Sequence, residues 1–352
     1  MSYSFEKFSD DKDFDFDKHK QEFIDNMDML KTMSVQEQTL YKKWQEFNKS
    51  DKLRSKADKL DQVQQQMWKP TDLSDKEKTI QEIQDLEPIV EYTQDNETWT
   101  LLRQGISSME FVANPGRNQK YFVKDKNTNK YLGVICMGSD VVSIKVRDEF
   151  IGWTKENKLD DAKLQHTAIG TSIIATQPLG YNFLGGKLVS ALVTCSTIRN
   201  KWKESYDQVL AGITTTALYG VHSQYNGIPH WKTLGETAGQ INLKPDDSIY
   251  LVWNQWLKEN HPEEHHKAVN ATGPKNNVIN RIFKHLGMKA KDYQHGFKRG
   301  VYFADIYENG KEFFKRSKYQ AIRRESLSAE KFALADILIE SPTIVFRVKA
   351  YY

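Results

Sequence analysis

The sequence predicts a mixed α/β (α+β) fold, a central sheet with flanking helices, for this chain of 352 residues. Three observations carry that prediction. Short β-rich runs separated by polar turns begin after Pro88. A strand, a glycine-rich turn, an apolar helix and a second strand follow one another between Ser172 and Thr215, and helical periodicity dominates both flanks. A hydrophobic content of 39% is enough to fill the core such a sheet requires.

From Asp17 to about Leu86 the chain is rich in Gln, Lys, Glu and Asp, while Phe23, Met27, Leu30 and Met33 recur at spacings of three and four. The stretch from Lys49 to Pro70 has few large apolar residues before Val63, Met67 and Trp68. It reads as a mobile or solvent-bridging helix ended by Pro70, so residues 1–88 are expected to form a helical appendage. The runs QKYFV (119–123) and KYLGVICM (130–137), joined by KDKNTN, read as a hairpin. A charged turn at Arg147 and Asp148 follows, then a helix from Glu156 to Leu164 and a strand from Ser172 to Thr176. An apolar helix from about Lys187 to Thr194, a charged helix around Lys201 to Tyr206 and a strand from Val209 to Thr215 complete a βαβ unit whose short apolar strands imply cover on both faces. Residues 89–245 are thus the expected core. Residues 246–352 read as a mainly helical region ending in the strand-like TIVFRVKAYY.

Composition excludes several classes. No stretch approaches the run of about 18 apolar residues that a membrane span needs, and the opening MSYSFEKFSDDKDFDFDKHK alternates aromatics with charges where a signal peptide would be apolar. A cytoplasmic protein with no membrane association is expected. Cys136 and Cys195 form no Cys-x-x-Cys pair, which argues against a disulfide framework or a cysteine-rich zinc site. His261-Pro-Glu-Glu-His265 spells a zinc-binding pattern, but Pro262 would fall in the first helical turn, and no metal is expected.

The net charge of +3 is a small difference between 50 basic and 47 acidic residues, so local distribution matters more. Between Arg281 and Arg324, Phe and Tyr alternate with Lys and Arg. That pattern suits a nucleic-acid surface, and equally a solvated helical face whose aromatics point inward.

Two segments carry candidate chemistry. Gln177 to Ser190 joins a strand to a helix through Gly180, Gly185 and Gly186, which would let backbone N–H groups approach a phosphate. It is not a Walker A loop, since Gly186 stands where Lys is required; a tight turn built for packing is the plainer reading. Thr214 to Gly239 is polar, glycine-rich and aromatic directly after a buried strand, where sites in open α/β sheets lie. Thr214, Thr216, Tyr219, Ser223, Tyr225 and His230 offer hydroxyl or imidazole groups to a substrate, or satisfy one another in an irregular loop.

Taken together, Arg147-Asp-Glu-Phe-Ile-Gly-Trp153, the strand ending at Pro178 with Asn182 nearby, and the Trp-x-x-Leu-Gly-x-Thr-x-Gly spacing from Trp231 to Gly239 resemble the DruA-like domain of Druantia anti-phage systems and phage-encoded relatives. The resemblance spans Tyr131 to Gln240. Thr214-Thr-Thr216 stands where the defence proteins carry an acidic residue. That domain is similar in turn to a divergent N-acyltransferase (GNAT-like) fold, in the style of the phage Mom proteins that modify DNA bases.

The resemblance implies an acetyl-CoA or other acyl-CoA donor held at Gly180, Asn182, Gly185, Gly186 and Lys187. Thr214, Thr216, Tyr219 and Tyr225 would do the catalysis, and Arg147, Trp231, Lys315, Arg316, Arg323 and Arg324 would contact DNA. The leading expectation is a nucleic-acid-associated, DNA-base-modifying transferase in a bacterial host cytoplasm. Two readings stand beside it: a non-catalytic DNA-binding or phage-defence module, and a virion or assembly protein whose residues 1–88 meet a helical protein partner.

Overall fold

The computed structural model describes residues 14–34, 36–38, 40–41, 44, 57–107, 116–176, 185–218, 223–237, 241–271, 273–295 and 297–316. The chain divides into two units, one joining residues 1–40 to 239–297, the other joining 41–238 to 298–352. The boundaries expected at residues 88 and 245 do not coincide with this division.

The larger unit is built on a seven-stranded sheet of order β1-β2-β3-β4-β5-β9-β6. Its strands are β1 (Pro88–Thr93), β2 (Asn118–Asp125), β3 (Tyr131–Ser139), β4 (Thr167–Ala175), β5 (Gly212–Ala217), β6 (Trp231–Glu236) and β9 (Gly300–Asp305). The hairpin β2–β3 forms where the sequence places it. The Asp125 side chain accepts from the Thr128 N–H at 2.9 Å and the Thr128 hydroxyl at 2.6 Å, and Asn129 takes the left-handed φ of 55° that Asn tolerates. All neighbouring pairs are antiparallel except β4 with β5, which are parallel.

Helices cover both faces of this sheet. On one face, α2 (Ala57–Gln65) and α4 (Asn96–Ile106) pack Val63, Trp99 and Leu102 onto Phe122, Val134 and Cys136. Farther along, α5 (Lys145–Ile151) and α11 (Gly310–Lys315) pack Ile151, Phe313 and Phe314 onto Phe303. On the opposite face, α3 (Lys76–Gln84), α6 (Gly185–Leu192) and α7 (Ser196–Tyr206) bury Ile83, Leu188, Val189 and Trp202 with Ile135, Ile213 and Tyr302. β3 is buried along nearly its whole length, which is why YLGVICM reads as an apolar run rather than an alternation.

Several expectations change in detail. Strand β4 starts at Thr167 rather than Ser172, and Arg147 and Asp148 lie inside helix α5 rather than in a turn. The helix expected from Glu156 to Leu164 is a π-turn over Glu156–Asp160 followed by a 3-10 turn over Lys163–His166. The stretch 281–324, read as a basic face, contains the interior strand β9, which pairs with β5 on one side and β6 on the other. TIVFRVKAYY lies outside the described residues. The stretch around Val63 to Trp68 is not a free helix: Trp68 N–H donates to the Tyr131 carbonyl at 2.9 Å and Trp68 lies in the core.

The smaller unit gathers α1 (Phe16–Thr32) with α8 (Asp247–Asn260), α9 (Pro262–Val269), α10 (Pro274–His285) and a two-stranded ribbon of β7 (Ile241–Asn242) and β8 (Gln294–His295). Asp15 caps α1 by accepting from the Lys18 N–H, and the face carrying Phe23, Met27 and Leu30 is buried. Phe23 meets Trp253 and Phe283 edge to face. Pro262 does sit at the first turn of α9, and the His261 ring stacks on His285 at 4.0 Å. No helix among the described residues is long and apolar enough to cross a membrane.

Candidate functional site

Strand β5 separates two centres, because successive side chains of a strand point to opposite faces. Thr214 faces α5. Its hydroxyl donates to Asp140 Oδ2 at 2.8 Å, and Asp140 Oδ1 accepts from Arg147 Nη1 at 2.8 Å. Arg147 Nε and Nη2 both donate to Asp148 Oδ1, and Asp148 Oδ2 accepts from Lys158 Nζ at 2.6 Å. Trp153 lies under the guanidinium at 5.2 Å. The result is an alternating chain of charges, Lys158–Asp148–Arg147–Asp140, ending on a strand hydroxyl. Burial pushes the Asp140 carboxyl up from its ordinary range, against the pull of Arg147, Thr214, Thr167 and the Val141 N–H.

Gly152 closes α5 with φ of 77°, the left-handed cap that a glycine supplies without strain, and Ile151 is fully buried. The residues of the Arg-Asp-x-x-Ile-Gly-Trp element therefore share one local task, which is to lock α5 onto β5. On the same face, near Gly212, stands Asp305. Its Oδ1 is buried without a hydrogen-bond partner, and burial pushes its carboxyl up to about 6, with Lys311 and Lys232 opposing and Glu312 adding to the rise.

The second centre lies on the other face, where the sheet opens. β4 and β5 pair only through Thr167–Ile169 and Gly212–Thr214, although both strands continue. The cause is a bulge: Cys136 of β3 pairs with Ser172 and Met137 with Gly170, leaving Thr171 as the extra residue where the pairing to β5 stops. A bulge raises local twist and turns the strand away from its neighbour.

Past Ile169, the last β4 residue paired with β5, two β4 carbonyls are met by side chains. Thr215 Oγ1 donates to Gly170 O at 3.0 Å, and Gln224 Nε2 donates to Ile173 O at 2.7 Å. Gln224 also lies on Gly186: a Cβ there would fall 2.6 Å from Gln224 Oε1. Lys187 Nζ reaches back over the turn, 3.4 Å from where a Cβ on Gly227 would be.

The expected site residues distribute accordingly. Gly186 and Lys187, at the start of α6, come together with Gln224 and Gly227 at the opening, and Gly185 is buried beside them. Tyr225 packs between Trp231 and Tyr302, 6% exposed, with its hydroxyl 3.4 Å from Thr215 Oγ1; burial pushes that hydroxyl's pKa up. Thr214 and Thr216 lie on the opposite face from Tyr225, so these three of the expected catalytic hydroxyls do not converge.

Arg147 has no exposed surface and is held by two carboxylates, and Trp231 is buried with its Nε1 donating to Ser190 O at 2.9 Å. Neither side chain presents itself to a nucleic acid. Lys315 and Arg316 are exposed. Gly180, Asn182, Tyr219, Arg323 and Arg324 lie outside the described residues. Asp140, Gln224 and the Thr171 bulge were not singled out from sequence; an Asp seven residues before the Arg was the one available signal for the first.

Fold and site together define a mixed α/β protein whose sheet opens between its two parallel strands beside a helix that starts on two glycines. The family described as Druantia protein DruA matches residues 36–316, which is most of the chain, and the chain belongs to that family. A relative, Druantia protein DruA of Escherichia coli (strain UMEA 4076-1), is 26% identical over 238 residues, covering 62% of this chain and 58% of its own length. The chain thus spans less than two thirds of that relative. No solved structure matches it.

Proposed function

We propose that this chain is a nucleic-acid-associated component of a phage-defence system, and that it holds an anionic ligand at the β4–β5 opening. The observation carrying the defence role is family membership, since the matched span contains every strand of the sheet and both walls of the opening. A plaque assay tests it. Cells carrying the complete defence locus with this chain should lower plaque counts on a sensitive phage relative to the same locus with the chain deleted, and equal counts would refute the role.

Support for a ligand at the opening comes from position. Sites in open α/β sheets lie beyond the carboxyl ends of parallel strands, and a helix start, where backbone N–H groups point outward, suits negative charge together with Lys187. An acyl-CoA-dependent transfer to a base amine is the second reading, favoured by the parted strands beside a glycine-started helix. For this reading a melting shift with acetyl-CoA is the measurement: a ligand at a hundred times its dissociation constant stabilises by about 2.7 kcal/mol. Lys187→Ala should reduce that shift. Gly186→Val is the poorer probe, because valine would already collide with Gln224 in the unliganded chain.

A further inference from the structure

Among the described residues, the side chain of Gln224 lies at the opening between β4 and β5. Strand carbonyls beyond a ladder must find donors elsewhere, and Ile173 O finds one in the Gln224 carboxamide rather than in a neighbouring strand. Gln224 comes from the turn before β6, not from a regular element. Its carboxamide rests on Gly186, where any Cβ would collide with it, and the side chain also bonds the Tyr225 hydroxyl, which lies 3.4 Å from Thr215 Oγ1.

A primary amide therefore sits in a slot with a carbonyl to accept its N–H, a glycine beneath it and a hydroxyl bonded to it. We propose that Gln224 is an intramolecular plug in an amide-recognising slot, which a ligand bearing an amide N–H must displace to enter the opening. This rests on the reading of the opening as a ligand site. The plug controls access to that site: with Gln224 seated the opening is closed, and with Gln224 withdrawn Ile173 O is left to the ligand.

Small amides test the slot directly on the full chain. In Gln224→Ala, acetamide should raise the melting temperature saturably, whereas N,N-dimethylacetamide, which has no N–H, should not. Wild type should respond to neither. Equal responses to both amides, no response, or the same response in wild type would overturn the plug.

Should Gln224→Ala fail to fold, Gln224→Glu keeps the bulk and makes the plug titratable. Near pH 7 its carboxylate is repelled by Ile173 O and acetamide should bind. Near pH 4, around the ordinary glutamate value of about 4.3, the protonated form can donate and the acetamide response should shrink. A pH-independent response in that variant also overturns the plug.

Acetyl-CoA separates this from the donor reading. Tighter acetyl-CoA binding by Gln224→Ala than by wild type supports both. A selective acetamide response with no acetyl-CoA binding keeps the plug and removes the donor. Equal acetyl-CoA binding without an acetamide response keeps the donor and removes the plug.

Discussion

Asp140 and Arg147 meet at 2.8 Å with both side chains fully shielded from solvent. The pair joins the end of β3 to α5, and through Thr214 it reaches β5 as well. Charges taken out of water are tolerated only when each is matched, and here Asp148 and Lys158 complete the matching.

Removing one member should be severe. Arg147→Met leaves Asp140 buried without its cation and is expected to lower unfolding free energy by about 3–5 kcal/mol in urea denaturation. Combining it with Asp140→Leu should recover part of that loss. A single substitution as mild as an exposed ion-pair deletion, about 0–1 kcal/mol, would show that the pair is not buried in solution.

Asp305 should impose a pH dependence of known sign. Its folded-state value of about 6 lies above the ordinary carboxyl range, so the folded chain holds this proton more tightly than the unfolded chain does. The associated stability is present at low pH and is lost as pH rises from about 4 towards 6, by about 1–2 kcal/mol after allowance for partial exposure. Asp305→Asn should therefore flatten the difference in melting temperature across this window. If the profiles of the wild type and the Asp305→Asn variant stay parallel from about pH 4 to 7, the carboxyl titrates normally.

Gly152 holds φ of 77° at the end of α5, and Lys315 Cε would lie 2.7 Å from a Cβ there. Gly152→Ala should cost about 1 kcal/mol from backbone strain, while the flexible lysine end moves aside. An unchanged denaturation midpoint would mean that this cap relaxes.

Exposed Lys315 and Arg316, with Arg323 and Arg324 beyond the described residues, are the cations to test for DNA contact. Each Lys→Glu or Arg→Glu change at a true phosphate contact should weaken binding across sequences and reduce the slope of log K against log salt by about 1. Variants that bind with the wild-type slope would place the nucleic-acid surface elsewhere.

What the sequence revealed depended on how local the determinants were. The β2–β3 hairpin was legible because Asp125, Thr128 and Asn129 carry its turn chemistry within a few residues. The βαβ unit was legible from strand–glycine–helix order. Strand β9 was not, since VYFAD is a short apolar run inside a basic stretch, and only its pairing with β5 and β6 makes it interior.

The candidate site was hidden for the same reason. The extra residue at Thr171 is defined by register against β3, and Gln224 reaches Ile173 across a separation of 51 residues. Gly186 and Lys187 were found through glycine spacing. Arg147 and Trp231 were singled out by motif, but motif alone does not tell a buried arginine from a surface one.

The smaller unit has a consequence for the order of synthesis. Helix α1 ends at Thr32, and its partners from the later chain begin at Asp246, which bonds Asn26. At ~5–20 residues per second, roughly 10–40 s separate their appearance from a ribosome. During that interval Phe23, Met27 and Leu30 have no Trp253 or Phe283 to cover them. A nascent chain arrested between residues 40 and 239 is therefore an expected client for a holding chaperone, bound through the apolar face of its first helix.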